Sequence, residues 1–189
     1  EIDEERLKNL KLKVDEAAQD TEVTWFDVLT CIAFIAFAET PADFTLLETG
    51  LGGRFDATNV VAPILALITS ISMDHQAQLG ETLPEIVHEK AGIIKEGVPV
   101  IVGPNSAEVQ GLLAPYNPVF CGAPSADYIK DNQELARTAA AQLGFPTAII
   151  EKGLACAKLQ ARFQQLDETI FLDGAHNEGL ANDGIFGEI

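Results

Sequence analysis

Positive charge is scarce in this sequence: 12 of its 189 residues are lysine or arginine, against 29 aspartates and glutamates, which gives a formal net charge of −17. A surface this negative repels a nucleic-acid backbone, because binding there depends on clustered cations. No apolar run reaches the roughly 18 to 20 residues that a membrane span needs, and an N-terminus with four acidic residues in its first five is unlike a signal peptide. We therefore expect a cytoplasmic protein that binds neither nucleic acid nor a membrane.

Cysteine is also rare. The three cysteines, Cys31, Cys121 and Cys156, form no CxxC pair and lie far apart among apolar neighbours. This pattern predicts buried, reduced thiols rather than a disulfide framework or a zinc site.

Helices are predicted from apolar spacing and capping signals. Leu7, Leu10 and Val14 mark an amphipathic helix over residues 2–18. Two Thr-x-x-Asp/Glu patterns, beginning at Thr24 and Thr82, resemble capping boxes that open helices running to about Ala38 and Ile94. Further helices are expected over residues 107–113 and 127–143.

Short apolar segments between these helices predict buried strands, at residues 43–47, 64–71, 100–102, 119–121 and 169–172. Apolar strands that lack alternation and are separated by helices indicate a parallel sheet covered on both faces. The fold class predicted from the pattern is therefore a doubly wound α/β protein.

Polar residues follow three of these strands, where ligands gather in open parallel sheets. Glu48 follows the first, Asp74 and His75 follow the second, and residues 173–177 follow the last. A carboxylate and an imidazole on neighbouring strand ends can share a divalent ion such as Mg²⁺. The alternative is that Glu48 caps the glycine turn and His75 hydrogen-bonds a loop.

Lys90 lies four residues after Ile86 and four before Ile94, on the apolar stripe of its predicted helix. A buried lysine is costly unless it is paired, deprotonated or modified, which suggests a functional role. The alternative is a lysine whose stem covers the core while its amine reaches water.

Four segments occur in an order that resembles the folylpolyglutamate synthase/dihydrofolate synthase family of the Mur ligase superfamily. They are ETGLGGRFDATN (48–59), ITSISMDHQAQLGETLPEIVHEKAGIIKEGVPVIVG (68–103), ARFQ (161–164) and LDGAHN (172–177). The resemblance implies a P-loop ATPase domain, here residues 1–158 without the P-loop portion. It also implies the start of a smaller Rossmann-like C-terminal domain at residues 159–189.

The implied activity is an ATP-dependent ligation. ATP converts a substrate carboxylate into an acyl phosphate, and the amine of L-glutamate attacks it. The acceptor would be dihydropteroate, a reduced folate such as tetrahydrofolate, or both. By the same resemblance, which implies two Mg²⁺ sites, Glu48 and His75 ligate Mg²⁺ and Lys90 is carbamylated. The catalytic set is then Lys90, His75 and Asp173.

The resemblance further implies two groups of binding residues. The pterin end of dihydropteroate would contact two segments, Thr24, Trp25, Phe26 and Asp27 in one and Phe55, Asp56 and Ala57 in the other. An aromatic pair beside a carboxylate suits a flat heterocycle with N–H donors. The nucleotide would contact Asn132, Arg162, Asp173 and His176.

The sequence departs from the family in one respect: it contains no GxxGKG[ST] motif, whose lysine and hydroxyl hold ATP phosphates and Mg²⁺. We expect an enzyme with further segments and a monomer that acts on small molecules. The alternatives are a non-catalytic folate-binding or scaffold remnant, and a cell-wall Mur ligase that joins amino acids to a nucleotide-linked sugar.

Overall fold

The computed structural model describes residues 2–157, 164–165 and 171–172. The chain divides into two compact units, Glu1–Ala62 and Pro63–Ile189. The N-terminal unit contains two α-helices, and the C-terminal unit contains a parallel sheet with its own helices.

The N-terminal unit is built on a pair of packed helices, α1 (Glu4–Ala18) and α2 (Trp25–Glu39). Leu10 and Val14 of α1 form one buried cluster with two residues of α2, Val28 and Ile32. Both predicted helices are confirmed. Leu7, the third residue of the predicted stripe, lies at the exposed margin of the contact.

The segment after α2 does not form the strand predicted at residues 43–47. Leu46 is 86% exposed and the segment has no strand partner within the described residues, so the prediction of a buried strand here is wrong. A strand requires a neighbour for its backbone N–H and C=O groups, which its own apolar residues do not supply. The segment leads into a glycine-rich loop and a short 3₁₀ helix, Ala57–Val60.

The C-terminal unit has a three-stranded parallel sheet in the order β1-β2-β3. Its central strand pairs Val100 with Ala66 on one side and Ile101 with Val119 on the other. The strands are β1 (Ala66–Ile68), β2 (Val100–Val102) and β3 (Val119–Phe120). The helices are α3 (Gln76–Leu79), α4 (Leu83–Ala91), α5 (Ala107–Leu113), α6 (Tyr128–Gln142) and α7 (Thr147–Cys156).

Helices cover both faces of this sheet, as the apolar strands predict. Val100 and Val102 pack with α4 and α5 on one face. Ile101 points to the opposite face, where it packs with Leu135 of α6.

The element boundaries differ from the prediction in several places. The predicted strand 64–71 is confined to Ala66–Ile68, and α4 ends at Ala91 instead of Ile94. Helix α7 was not predicted; it begins after Pro146, which supplies no side-chain cap, so the usual start signal is missing.

A separate pair of short strands follows. Strand β4 (Gln164–Gln165) pairs antiparallel with β5 (Phe171–Leu172). A strand was predicted at residues 169–172, and the two of these residues that the structure describes, 171 and 172, form a strand. The predicted domain boundary between residues 158 and 159 stays a prediction.

The three cysteines are free thiols, but only Cys121 is buried. Cys31 and Cys156 are exposed, on α2 and at the end of α7, so the prediction of burial is wrong for these two. Within the described ranges, no helix is both long enough and apolar enough to cross a membrane.

The core between α4 and the sheet depends on Ile86, which is fully buried. Replacing it with alanine should lower the free energy of unfolding by about 2 to 5 kcal/mol, because the change removes apolar contacts and leaves a cavity. Urea unfolding followed by circular dichroism measures this value. The matched control is Ile149→Ala on α7, where the side chain is 56% exposed and a change within about 0.5 kcal/mol is expected. Equal losses in both variants would contradict this account of the core.

Candidate functional site

A capping box fixes the start of α2, where four of the predicted substrate residues lie. The Thr24 hydroxyl oxygen accepts a hydrogen bond from the Asp27 N–H (3.1 Å). The Asp27 carboxylate in turn accepts from the Thr24 N–H (2.8 Å) and hydroxyl (2.7 Å). These hydrogen bonds, the hydroxyl's first, lower the pKa of Asp27. Thr24 and Asp27 therefore orient the two aromatic residues between them.

The ring of Phe26 lies directly on the backbone of the glycine-rich loop. A Cβ atom placed on Gly50 would fall 2.5 Å from the Phe26 ring, so a side chain at this position would require the ring to move. The 3₁₀ helix Ala57–Val60 also packs against α2. Within the N-terminal unit, the structure thus brings the segments 24–27 and 55–57 to the same region, as the resemblance implies.

Asp56 closes the glycine-rich loop on itself. One carboxylate oxygen accepts from the N–H groups of Gly50 and Leu51, both at 3.0 Å. The other accepts from the N–H (2.9 Å) and the hydroxyl (2.5 Å) of Thr58. Four hydrogen bonds occupy this carboxylate, so its observed work is to hold the loop in shape.

Two aromatic side chains beside this loop are open to solvent. Trp25 is 63% exposed and Phe55 is 80% exposed. The Arg54 guanidinium lies over the Phe55 ring, 4.8 Å from its centroid, in cation–π contact. Exposed rings on a rigid loop can stack on a flat, apolar ligand.

Glu48 precedes the same loop and has an exposed side chain. Gly50 and Leu51, the first loop residues, donate their N–H groups to Asp56 and not to Glu48. The role of capping the turn, which was the alternative for Glu48, is therefore filled by Asp56.

In the C-terminal unit, Asp74 and His75 form a tight turn after β1. The Asp74 carboxylate accepts from the His75 N–H (2.8 Å), and its other oxygen lies 3.7 Å from the imidazole Nε2. His75 has φ 50°, in the left-handed region, and begins α3. The turn leaves its imidazole 45% exposed, which makes the ring accessible to a ligand.

Lys90 is half-buried on α4, as its position on the apolar stripe predicts. Burial lowers the pKa of its amine, and the negative charge of Asp74 opposes that shift. A lysine in this state loses its proton more readily than an exposed one, which favours reaction of its amine with an electrophile.

Asn105 holds the end of β1, and sequence reasoning did not single it out. Its side chain is 3% exposed; its Oδ1 accepts from the Ile71 N–H (2.7 Å), and its Nδ2 donates to the carbonyl oxygens of Thr69 (3.0 Å) and Gly103 (2.9 Å). The signal available in the sequence was a polar residue only three positions after a buried strand.

The predicted nucleotide contacts are only partly within the described residues. Asn132 is exposed in the second turn of α6. Arg162, Asp173 and His176 lie outside the described residues. In the described part of the chain, no three histidine, cysteine, aspartate or glutamate side chains converge as a metal-binding group.

Comparison with known proteins identifies close relatives of this chain. Dihydrofolate synthase/folylpolyglutamate synthase of Bacillus subtilis (strain 168) is 53% identical over 97 residues, which are 49% of this chain and 23% of the relative. Dihydrofolate synthetase of Saccharomyces cerevisiae is 46% identical over 112 residues, 56% of this chain and 26% of the relative. The chain thus spans about a quarter of the length of these curated relatives. No family model matches it.

A solved structure shares the fold of this chain. E. coli FolC in complex with ADP, without folate substrate, superposes with a TM-score of 0.83 at 28% identity, over 96% of this chain and 52% of FolC. The chain is similar to the folylpolyglutamate synthase/dihydrofolate synthase family in sequence over about half of its length and in fold over 96% of it. The resemblance stated from the motifs is confirmed, and the parallel α/β sheet agrees with the ATPase domain of that family.

The contact between Phe26 and Gly50 gives a direct test of the aromatic site. Gly50→Ala should lower stability by about 1 to 3 kcal/mol, because the added methyl overlaps the ring and must displace it. Thermal unfolding measures the loss. Gly153→Ala on α7 is the control, since a Cβ there meets nothing within 4 Å, and it should stabilise the helix by up to about 1 kcal/mol.

A double variant isolates the cause. If the added methyl group clashes with the Phe26 ring, adding Gly50→Ala to Phe26→Ala should lower the stability by almost nothing further. A cost that persists without the ring would show that the Gly50 backbone, and not Phe26, sets the restriction.

Proposed function

We propose that this chain is part of an ATP-dependent ligase that joins L-glutamate to dihydropteroate, giving dihydrofolate, and that extends reduced folates with further glutamates. The observation that carries the proposal is the Phe26 ring seated on Gly50, which places one aromatic segment beside the loop that bears the other. Both curated relatives described above are named for dihydrofolate synthesis, and the Bacillus relative for folylpolyglutamate synthesis as well.

Trp25, Phe26 and Phe55 are proposed to hold the pterin ring by stacking. Trp25 and Phe55 offer exposed faces, and the hydrogen bonds of Thr24, Asp27 and Asp56 fix the backbone that carries the rings. Ala57 starts the 3₁₀ helix that packs on α2. Asp27 and Asp56 thus support the pocket through the backbone.

Magnesium is proposed to be held through Glu48 and His75. Both side chains are exposed, and a carboxylate oxygen and an imidazole nitrogen are usable donors. Mg²⁺ keeps several water or phosphate ligands and is usually bound through one or two protein side chains rather than a complete protein cage. When bound, it would neutralise charge on the ATP phosphates.

The reaction joins two chemical steps. The acceptor carboxylate attacks the γ-phosphorus of ATP, the bond to the bridging oxygen breaks, and ADP leaves. The amine of glutamate then attacks the acyl carbon, the carbon–oxygen bond to phosphate breaks, and the amine loses a proton. Residues of this chain bind and orient: Asn132, Arg162, Asp173 and His176 are proposed to contact the nucleotide. The ADP of the FolC structure supports a nucleotide as ligand.

Lys90 is proposed to act as a carbamate. Its amine would add to CO₂ with loss of a proton, which converts a half-buried cation into an anion that can orient neighbouring groups. The remaining parts of the proposal are a monomer that works in the cytoplasm on small-molecule substrates, within a two-domain enzyme whose second, Rossmann-like domain begins near residue 159.

The function is tested with the full-length protein, ATP, Mg²⁺, dihydropteroate and L-glutamate. Phosphate and ADP should be released in equal amounts. Glu48→Gln and His75→Ala should each lower kcat about 10² to 10³ fold, because each removes a group that stabilises charge on the transferred phosphoryl. Glu96→Gln and His88→Ala, which change the same residue types at positions outside the proposed site, should retain activity.

Other outcomes separate the alternatives. Turnover with tetrahydrofolate but not with dihydropteroate would leave polyglutamylation alone. Turnover only with a nucleotide-linked sugar acceptor would indicate a cell-wall ligase. No phosphate release from folded, magnesium-supplied protein with any acceptor would contradict catalysis and favour a folate-binding scaffold.

The carbamate makes a separate prediction for Lys90. In ¹³C-labelled bicarbonate, a carbamate resonance should appear that is lost in Lys90→Arg and kept in the exposed control Lys152→Arg. Asp74→Asn should strengthen it, because removing the neighbouring negative charge lowers the pKa of Lys90 further and also relieves repulsion of the carbamate. No resonance from Lys90 in either the wild type or Asp74→Asn would contradict the assignment.

The stability of the fold depends on pH through the same lowered pKa of Lys90. Folding lowers the pKa of Lys90 below its usual value of about 10.4, so the folded protein releases this proton more readily than the unfolded chain. The residue therefore costs stability at pH values below its folded pKa, and the cost disappears as the pH rises above 10.4. The carbamate should form at lower pH than on Lys152.

A further inference from the structure

We infer that Asn105 is a positioning residue whose side-chain amide ties the segment after β1 to the end of β2 and thereby fixes the turn that carries Asp74 and His75. The inference rests on the proposed function in so far as His75 is a magnesium ligand. Its structural part stands on the hydrogen bonds of the C-terminal unit alone.

The regular pairing of β1 with β2 ends just before Asn105. Ile68 is the last residue of β1 in register, opposite Val102, and the Gly103 N–H still donates to the Ile68 carbonyl at 2.8 Å. In a parallel ladder, a residue donates to the carbonyl before its partner and accepts from the N–H after it. By this rule the ladder would continue on the first strand through the backbone of Ser70, so the Thr69 carbonyl and the Ile71 N–H on either side of it need another partner.

The side-chain amide of Asn105 binds both of these backbone groups. Its Nδ2 donates to the Thr69 carbonyl at 3.0 Å and its Oδ1 accepts from the Ile71 N–H at 2.7 Å. Asparagine has a donor and an acceptor on one planar group, which aspartate and leucine lack. The orientation of the amide is settled by its partners, because an N–H requires an acceptor and a carbonyl requires a donor.

A glutamine side chain links Asn105 to the rest of the same edge. The Gln110 Nε2 on α5 donates to the backbone carbonyls of Asn105 (2.8 Å) and Gly122 (3.3 Å). Gly122 follows β3 closely, so one chain of hydrogen bonds runs along the carboxyl ends of all three strands. Ligands bind at this edge in open parallel sheets.

The hydrogen bonds of Asn105 act on the site through Ile71. This residue is buried in the main core, and its N–H is fixed by Asn105. Asp74 and His75 follow three and four residues later, in a turn whose residue His75 is in the left-handed region. A shift of the chain at Ile71 must move both the imidazole and the carboxylate that acts on Lys90.

The first experiment is NMR on this chain, which does not depend on turnover. In Asn105→Leu, the Ile71 amide should exchange with solvent at least about tenfold faster relative to the Gly103 amide, since one hydrogen bond of about 1.4 kcal/mol corresponds to a factor of ten. The imidazole resonance of His75 should also move. Ser106→Ala is the matched control: it removes the N-cap of α5 one residue away without touching Thr69 or Ile71, and should change neither value.

The second experiment measures the magnesium dependence of the full-length enzyme. Asn105→Leu should raise the Mg²⁺ concentration for half-maximal rate about tenfold, the lower end of what supporting residues of metal ligands contribute, and saturating Mg²⁺ should restore most of kcat. Ser106→Ala should leave the dependence unchanged. If Asn105→Leu does not fold, Asn105→Ala replaces it, because it also removes the acceptor for the Ile71 N–H and both donors but introduces no new bulk.

The outcomes are distinguishable. An unchanged His75 resonance in both Asn105 variants, or equal changes in Ser106→Ala, would overturn the positioning role. A wild-type enzyme with no magnesium-dependent phosphate release would defeat the proposed function, while the NMR comparison would still decide the role of Asn105.

Discussion

The burial of β2 on both of its faces is the constraint from which the C-terminal unit is built. Val100 and Val102 require α4 and α5 on one side, and Ile101 requires α6 on the other. A strand enclosed in this way can place polar groups only at its ends. The polar residues of the candidate site accordingly lie at the carboxyl edge of the sheet: Asn105 follows β2, and Asp74 and His75 lie in the turn after β1.

The acidic residues of this chain serve largely as acceptors for backbone N–H groups. Asp27 and Glu85 complete capping boxes, and Asp56 closes the glycine-rich loop with four hydrogen bonds. In the capping boxes this use lowers the pKa of Asp27 and of Glu85, because each carboxylate binds its donors best when ionised. A carboxylate that lies beside an expected binding site therefore does not have to bind the ligand itself. Asp56 illustrates this, since its acceptors are occupied by its own loop.

Predictions from the sequence succeeded where the cause was local. The capping boxes at Thr24 and Thr82 needed only residues three positions apart, and the helices they predict are present. The strand expected at residues 43–47 failed because pairing depends on a distant neighbour. Asn105 was missed for the same reason, since its partners Thr69 and Ile71 lie more than thirty residues earlier. The family motifs predicted more of the structure, because a match to a known family implies its whole fold, including contacts between residues that are far apart in the sequence.

Each unit prepares its part of the chemistry with hydrogen bonds of its own. In the N-terminal unit, the loop held by Asp56 presents Gly50 to the ring of Phe26. In the C-terminal unit, the hydrogen bonds of Asn105 hold the segment that leads to the turn from which Asp74 acts on Lys90. The charge state of Lys90 is then a property of the C-terminal unit itself: burial favours the neutral amine, and Asp74 limits how far that preference goes.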